Sequence, residues 1–266
     1  MPVIGRLRYL EAPAAGTERP RGTLLLIHAF PFNARMWEPQ LALAATGWRV
    51  IAPQLRSMDG GSTDQPATSM DDHAGDMIDL FDALHVEDAV VAGLSMGGYV
   101  AFALFRHAPR YIRALILADT RPQADTPEGV EGRRKMLALV HDKGPGAVAD
   151  EMIPKLLGEH TRRTRPDVVE RVRSLILASS ADAIANAITA LMTRADSSPL
   201  LASIHVPTLI VVGEQDTITP PALSEQMHQA IKGSEYVAIP DCGHMSNLEQ
   251  PEAFNAALAR FLEHRV

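Results

Sequence analysis

Short runs of consecutive apolar residues alternate along the chain with longer stretches whose apolar positions recur at helical spacing. Thr23-Leu24-Leu25-Leu26-Ile27 is apolar at every position rather than every second one, which predicts a strand buried on both faces. Residues 48–52, 89–92, 114–118, 208–212 and 235–239 predict further strands. Between them, residues 35–46, 70–84, 96–107, 220–231 and 247–263 predict helices. Strands and helices in this alternation imply an α/β class fold: a mainly parallel central sheet with helices on both faces. Residues 5–11 are expected to add an antiparallel edge strand.

The alternation stops between Arg121 and Ser203, where helical spacing alone persists. Helices are expected near 132–141, 146–157, 166–179 and 182–194. Such an insertion between two strands reads as a cap over the carboxyl ends of the sheet, where open α/β sheets bind ligands. The predicted organisation is a core made of residues 1–120 and 204–266, with a helical cap over 121–203.

Composition narrows the function classes. The 266 residues suffice for one large domain, and a net charge of −7 argues against a general nucleic-acid partner. The single cysteine, Cys242, excludes an internal disulfide and fits a reducing cytoplasm. Residues 1–8 lack the pattern of a signal peptide, and no apolar run approaches the length of a membrane span. A cytoplasmic chain is therefore expected.

Candidate chemistry begins at Gly93-Leu94-Ser95-Met96-Gly97-Gly98, where the third buried strand gives way to a helix. A serine on that turn presents its hydroxyl with a helix N-terminus behind it. The hydroxyl is a weak nucleophile without an adjacent base. His244, in the loop after the last predicted strand, is the expected base. The other nine histidines read mostly as surface or helix-end residues. Asp216, after the next-to-last strand, is the expected carboxylate, with Glu214 and Asp119 as alternatives. The backbone N–H groups of Phe30 and Met96 are the expected oxyanion donors. Candidate pocket residues are His28, Phe32, Met136, Met152, Ile188 and Ile218, although most apolar residues of the insertion are expected simply to dock its helices. Cys242 is expected to be a small buried hydrophobe. The runs Arg133-Arg134-Lys135 and Arg162-Arg163-Thr164-Arg165 are expected to be solvated faces.

Over nearly its whole length the chain resembles the α/β-hydrolase family. Leu26-Ile27-His28-Ala29-Phe30-Pro31-Phe32 looks like the family's His-Gly-x-Pro loop, with Ala29 in place of glycine. The acid loop 213–220 and the histidine loop 243–251 are similar to family loops in the same order. Residues 54–62 depart from the family's Asp-x-Arg-Gly-His-Gly-x-Ser stretch. The nearest likenesses are bacterial carboxylesterases, enol-lactone hydrolases and acyl-homoserine lactonases. The resemblance implies hydrolysis of small to medium acyl esters through an acyl-enzyme, with no metal or organic cofactor. Alternatives are a lactonase with the same residues, a perhydrolase- or haloperoxidase-like side activity, and a binding protein of low turnover. A serine at this turn argues against haloalkane dehalogenases, which carry aspartate there.

Overall fold

The computed structural model describes residues 1–4, 7–17, 19–56, 58 and 66–266. Eight strands form one sheet: β1 (Val3–Ile4), β2 (Leu7–Ala12), β3 (Thr23–Ile27), β4 (Arg49–Pro53), β5 (Ala89–Leu94), β6 (Ile112–Ala118), β7 (Thr208–Gly213) and β8 (Glu235–Ile239). Their order across the sheet is β1-β2-β4-β3-β5-β6-β7-β8. From β4 to β8 all neighbours run parallel, and β2 joins β4 antiparallel, which supplies the expected edge. Residues 5 and 6 of that predicted edge, and residues 57 and 59–62 of the unusual loop, lie outside the described residues. β3, β5 and β7 are buried at every position, as their unbroken apolar runs require.

The chain adds β4 on one side of β3 and then returns to the other side with β5. Strands leaving a sheet at such a reversal splay their loops apart and open a crevice at their carboxyl ends. Ile27 pairs with Gly93, Leu94 with Ala118, and Gly213 with Ile239. The loops after β3, β5, β6, β7 and β8 therefore begin side by side at one edge.

The helices are α1 (Met70–Leu84), α2 (Met96–His107), α3 (Pro127–Leu156), α4 (Glu159–Thr164), α5 (Pro166–Leu177), α6 (Ala181–Met192), α7 (Pro221–Ala230), α8 (Ser246–Glu249) and α9 (Pro251–His264). A capping box between Ser69 and Asp72 starts α1, and His85, at φ 54°, ends it. α2 lies against β3, β5 and β6, and α3 packs on α5 and α6. The fully buried aromatic side chains include Trp37, Phe81, Phe102, Phe254 and Phe261. Each contributes about 1.5–3 kcal/mol or more through burial.

Three helical segments differ from expectation, each at a proline. Residues 34–46 form a 3₁₀ rather than an α-helix, with Pro39, which has no N–H to give, inside it. The helix expected over 247–263 is two, α8 and α9, because Pro251 pushes Gln250 out of the helical region to φ −133°, ψ 61°. The two helices expected over 132–157 are the halves of α3, which starts at Pro127 and breaks at Gly144 (φ 74°, ψ −174°) before Pro145. The short helix α4 was not expected. Among the described residues no single helix is long and apolar enough to cross a membrane.

Candidate active site

Ser95 stands between β5 and α2 at φ 53°, ψ −110°, a conformation that L-residues rarely adopt. Its neighbours are glycines for a measurable reason. A Cβ on Gly93 would lie 2.2 Å from the carbonyl oxygen of Gly97, one on Gly97 2.0 Å from that of Ile27, and one on Gly98 2.4 Å from Thr120 Oγ1. Strand, turn and helix thus meet backbone to backbone. The turn is held from both sides: Ser95 N–H donates to the carbonyl of Ala118 at 2.9 Å, and the Thr120 hydroxyl donates to the Ser95 carbonyl at 2.8 Å.

The structure brings three predicted residues, from loops far apart in sequence, into one chain of contacts. Ser95 Oγ is 2.8 Å from His244 Nε2, and His244 Nδ1 is 2.7 Å from Asp216 Oδ2. All three side chains are buried. Asp216 also accepts from the Thr219 hydroxyl at 2.7 Å and from the backbone N–H groups of Ile218 and Thr219 at 2.8 and 3.0 Å. Burial alone raises the Asp216 carboxyl, but the His244 charge and these donors outweigh it and hold it below 3.8. For His244, burial acts downward and the Asp216 carboxylate upward, and the upward effect prevails, lifting the imidazole above 6.5.

Asp119 and Glu214, the alternative carboxylates, go elsewhere. Asp119, at φ 43° after β6, accepts from the Gly213 N–H at 2.8 Å and from the Ser246 hydroxyl. It ties the acid loop to the histidine loop, and burial followed by the Asp216 charge pushes its carboxyl well above 3.8. Glu214 is exposed. Cys242 is buried, and desolvation raises its thiol, which leaves it a packing residue.

Residues 24–257 match the family model of the alpha/beta hydrolase family. The chain belongs to this family. It is 28% identical over 238 residues to 3-oxoadipate enol-lactonase 2 of Acinetobacter baylyi, covering 90% of this chain and 87% of that one. A thermophilic esterase from Thermogutta terrifontis, solved with malate bound, is 38% identical with a TM-score of 0.90 over 97% of this chain and 93% of its own. The enol-lactonase of Burkholderia xenovorans is 27% identical with a TM-score of 0.87 over 97% and 96% of the two chains.

In this hydrolase a cavity of about 250 Å³ is lined by Phe30, Arg121, Asp125, Arg133, Met136 and Met152, with two glycines of α3. Met136 and Met152 were expected at a pocket, and Phe30 was expected as an oxyanion donor rather than a pocket residue. His28, Phe32, Ile188 and Ile218 do not border this cavity. His28 is fully buried, its Nδ1 3.0 Å from the Ala29 carbonyl and its Nε2 accepting from the Leu55 N–H at 3.1 Å. It therefore braces the loop after β3, and together with buried His73 it departs from the surface role expected of most histidines. Phe32 and Ile188 are also fully buried, and Ile218 is half-buried beside Asp216. Met96 opens α2, where the first N–H groups have no acceptor within the helix.

Several positioning residues escaped the sequence reading. Thr219 could have been found from its place three residues after an aspartate in a turn. Glu249 accepts from the N–H of Gly158 and of Gly243, both at 2.8 Å, and so pins the histidine loop to the end of α3. Nothing local marks that long-range role.

Proposed function

We propose that the protein is a carboxylic ester hydrolase acting through Ser95, His244 and Asp216 and an acyl-enzyme. The observation that carries this reading is the 2.8 Å contact between Ser95 Oγ and His244 Nε2 on a turn built of glycines. His244 takes the Ser95 proton as Oγ attacks the ester carbonyl, while Asp216 fixes the imidazole tautomer and stabilises the imidazolium. The N–H groups of Phe30 and Met96 receive the oxyanion. His244 then protonates the departing alcohol, and water, activated by the same imidazole, releases the acid. The helices between β6 and β7, over 121–203, act as a cap that selects the acyl or alcohol part. Small to medium acyl esters suit a cavity of about 250 Å³.

The same groups open a lactone, and likeness to proteins named enol-lactonases over most of the chain favours that as a second reading. Hydrolysis of p-nitrophenyl esters of increasing acyl length, assayed beside homoserine and simple lactones, separates the two. Ser95→Ala is expected to lower kcat by about 10⁶, the scale seen when a catalytic serine is lost. Retained turnover, or a Ser95 that resists fluorophosphonate labelling, would overturn the assignment.

A further inference from the structure

Three arginines converge on one aspartate beside the cavity. Asp125 accepts from Arg194 Nη2 at 2.8 Å and Arg121 Nη2 at 2.9 Å through Oδ1, and from Arg133 Nε at 3.2 Å through Oδ2. Burial favours the neutral carboxyl of Asp125, but the hydrogen bond from Arg194 and the charges of Arg133 and Arg194 outweigh it and bring it down to about 2. The cluster is therefore three cations around one anion. Arg194 is sealed off from the cavity: its guanidinium is buried, donates to the carbonyls of Leu191 and Gln123, and lies 4.4 Å from the Tyr99 ring centroid, although its Nε, like that of Arg121, has no acceptor among the described residues.

Arg121 and Arg133 differ from it. Both line the cavity, and their side chains keep about a quarter of their surface exposed, 25% and 24%. Arg121 Nε is buried with no acceptor among the described residues. A buried donor left unpaired is costly, and a charged one more so. Among the described residues lining this cavity Asp125 is the only carboxylate beside two arginines, so these residues carry an excess of positive charge in a chain of net charge −7. One face of α3 forms a wall of the cavity: Gly129, Gly132, Arg133 and Met136 fall at i, i+3, i+4 and i+7 and present two glycines and one cation there. Arg121 directly follows Thr120, whose hydroxyl holds the Ser95 carbonyl, and Phe30, one of the two proposed oxyanion donors, lines the same cavity.

We propose that Arg121 and Arg133 form a carboxylate-binding subsite, so that the substrate is an ester or lactone bearing a free carboxylate. This rests on the serine-hydrolase reading for the position of the scissile bond. A guanidinium pair accepts a carboxylate through charge-assisted hydrogen bonds, and the apolar Met136 and Met152 leave room for a short carbon chain between the two ends. The run Arg133-Arg134-Lys135 is thus not one solvated face: Arg133 turns to the cavity, while Arg134 pairs with Glu131 at the surface. The carboxylate can lie on the acyl or on the alcohol side, and paired substrates distinguish the two.

The test compares kcat/KM for mono-p-nitrophenyl glutarate against its methyl ester, and for p-acetoxybenzoate against its methyl ester. Wild type, Arg133→Gln and Arg133→Lys are measured, each checked for folding by thermal unfolding. In one pair the wild type is expected to prefer the carboxylate by at least about tenfold, the scale of one charge-assisted hydrogen bond. Arg133→Gln should cut that ratio by about tenfold, and Arg133→Lys should restore part of it. A merely structural Arg133 would lower both members of a pair equally and leave the ratio fixed. An unchanged ratio in both pairs, or a preference for the neutral esters, overturns the proposal while leaving the serine mechanism standing. Should no ester be hydrolysed and Ser95 resist labelling, the mechanism falls. The subsite is then judged by glutarate alone: a rise in Tm seen in wild type and lost in Arg133→Gln supports it, and no rise overturns it.

Discussion

His244 sits above its ordinary 6.5 because the Asp216 carboxylate stabilises its charged form more than burial opposes it. A general base must be neutral, so kcat/KM should rise with pH through a midpoint above 6.5. Replacing Asp216 with asparagine removes the largest upward influence while burial stays. The midpoint should then move to lower pH, and kcat should fall by about 10⁴, the scale known when a triad aspartate is amidated. A pH–rate profile of the two proteins checks both effects, and a midpoint that stays put would separate Asp216 from the base. The same shift bears on stability. The folded value of His244 exceeds the unfolded one, so its protonated form favours the fold. That contribution is full below the unfolded value and is lost as pH rises through the folded value.

At the scale of elements, the active edge depends on backbone approaches that side chains would spoil. Alanine at Gly97 would place its Cβ 2.0 Å from the Ile27 carbonyl oxygen, so β3 and α2 would have to part. Gly97→Ala is expected to cost several kcal/mol, about the 1–3 kcal/mol or more typical of overpacking, read from the urea midpoint. Glu249 is the second such device, joining the end of α3 to the histidine loop. In Glu249→Gln the amide nitrogen faces a backbone donor. A loss of about 1–3 kcal/mol is expected, with kcat falling more than KM changes, because the loop that carries His244 loosens. Steady-state kinetics with denaturant unfolding of the same variant tests the coupling.

For the molecule as a whole, His73 makes stability depend on acid. Burial, with the charges of His28 and Arg56, holds it down at about 3 against an ordinary 6.5. It is neutral in the fold and gains a proton more readily when unfolded. Stability from this group is therefore complete above about 6.5 and declines as pH falls toward 3. Urea midpoints should show wild type losing stability relative to His73→Leu over that window, whereas parallel curves would mean that His73 is not buried neutral in solution.

The chain alone determined the class of fold, the buried strands β3 to β8 with most of the helices between them, and the loops that hold Ser95, His244 and Asp216. The reason is physical: buried parallel strands must be apolar at every position, and a serine on a sharp turn needs glycines around it, so both leave local marks. The helix breaks at Gly144 and Gln250 were also written locally, in Pro145 and Pro251. What the tertiary structure decided are pairings across long separations. That Asp119 binds Ser246, that Glu249 holds Gly158, that His28 turns inward, and that Arg121, Arg133 and Arg194 meet at Asp125 depend on which loops the sheet order brings together. A polar residue's type states what it can bond to; only the fold states what is within reach.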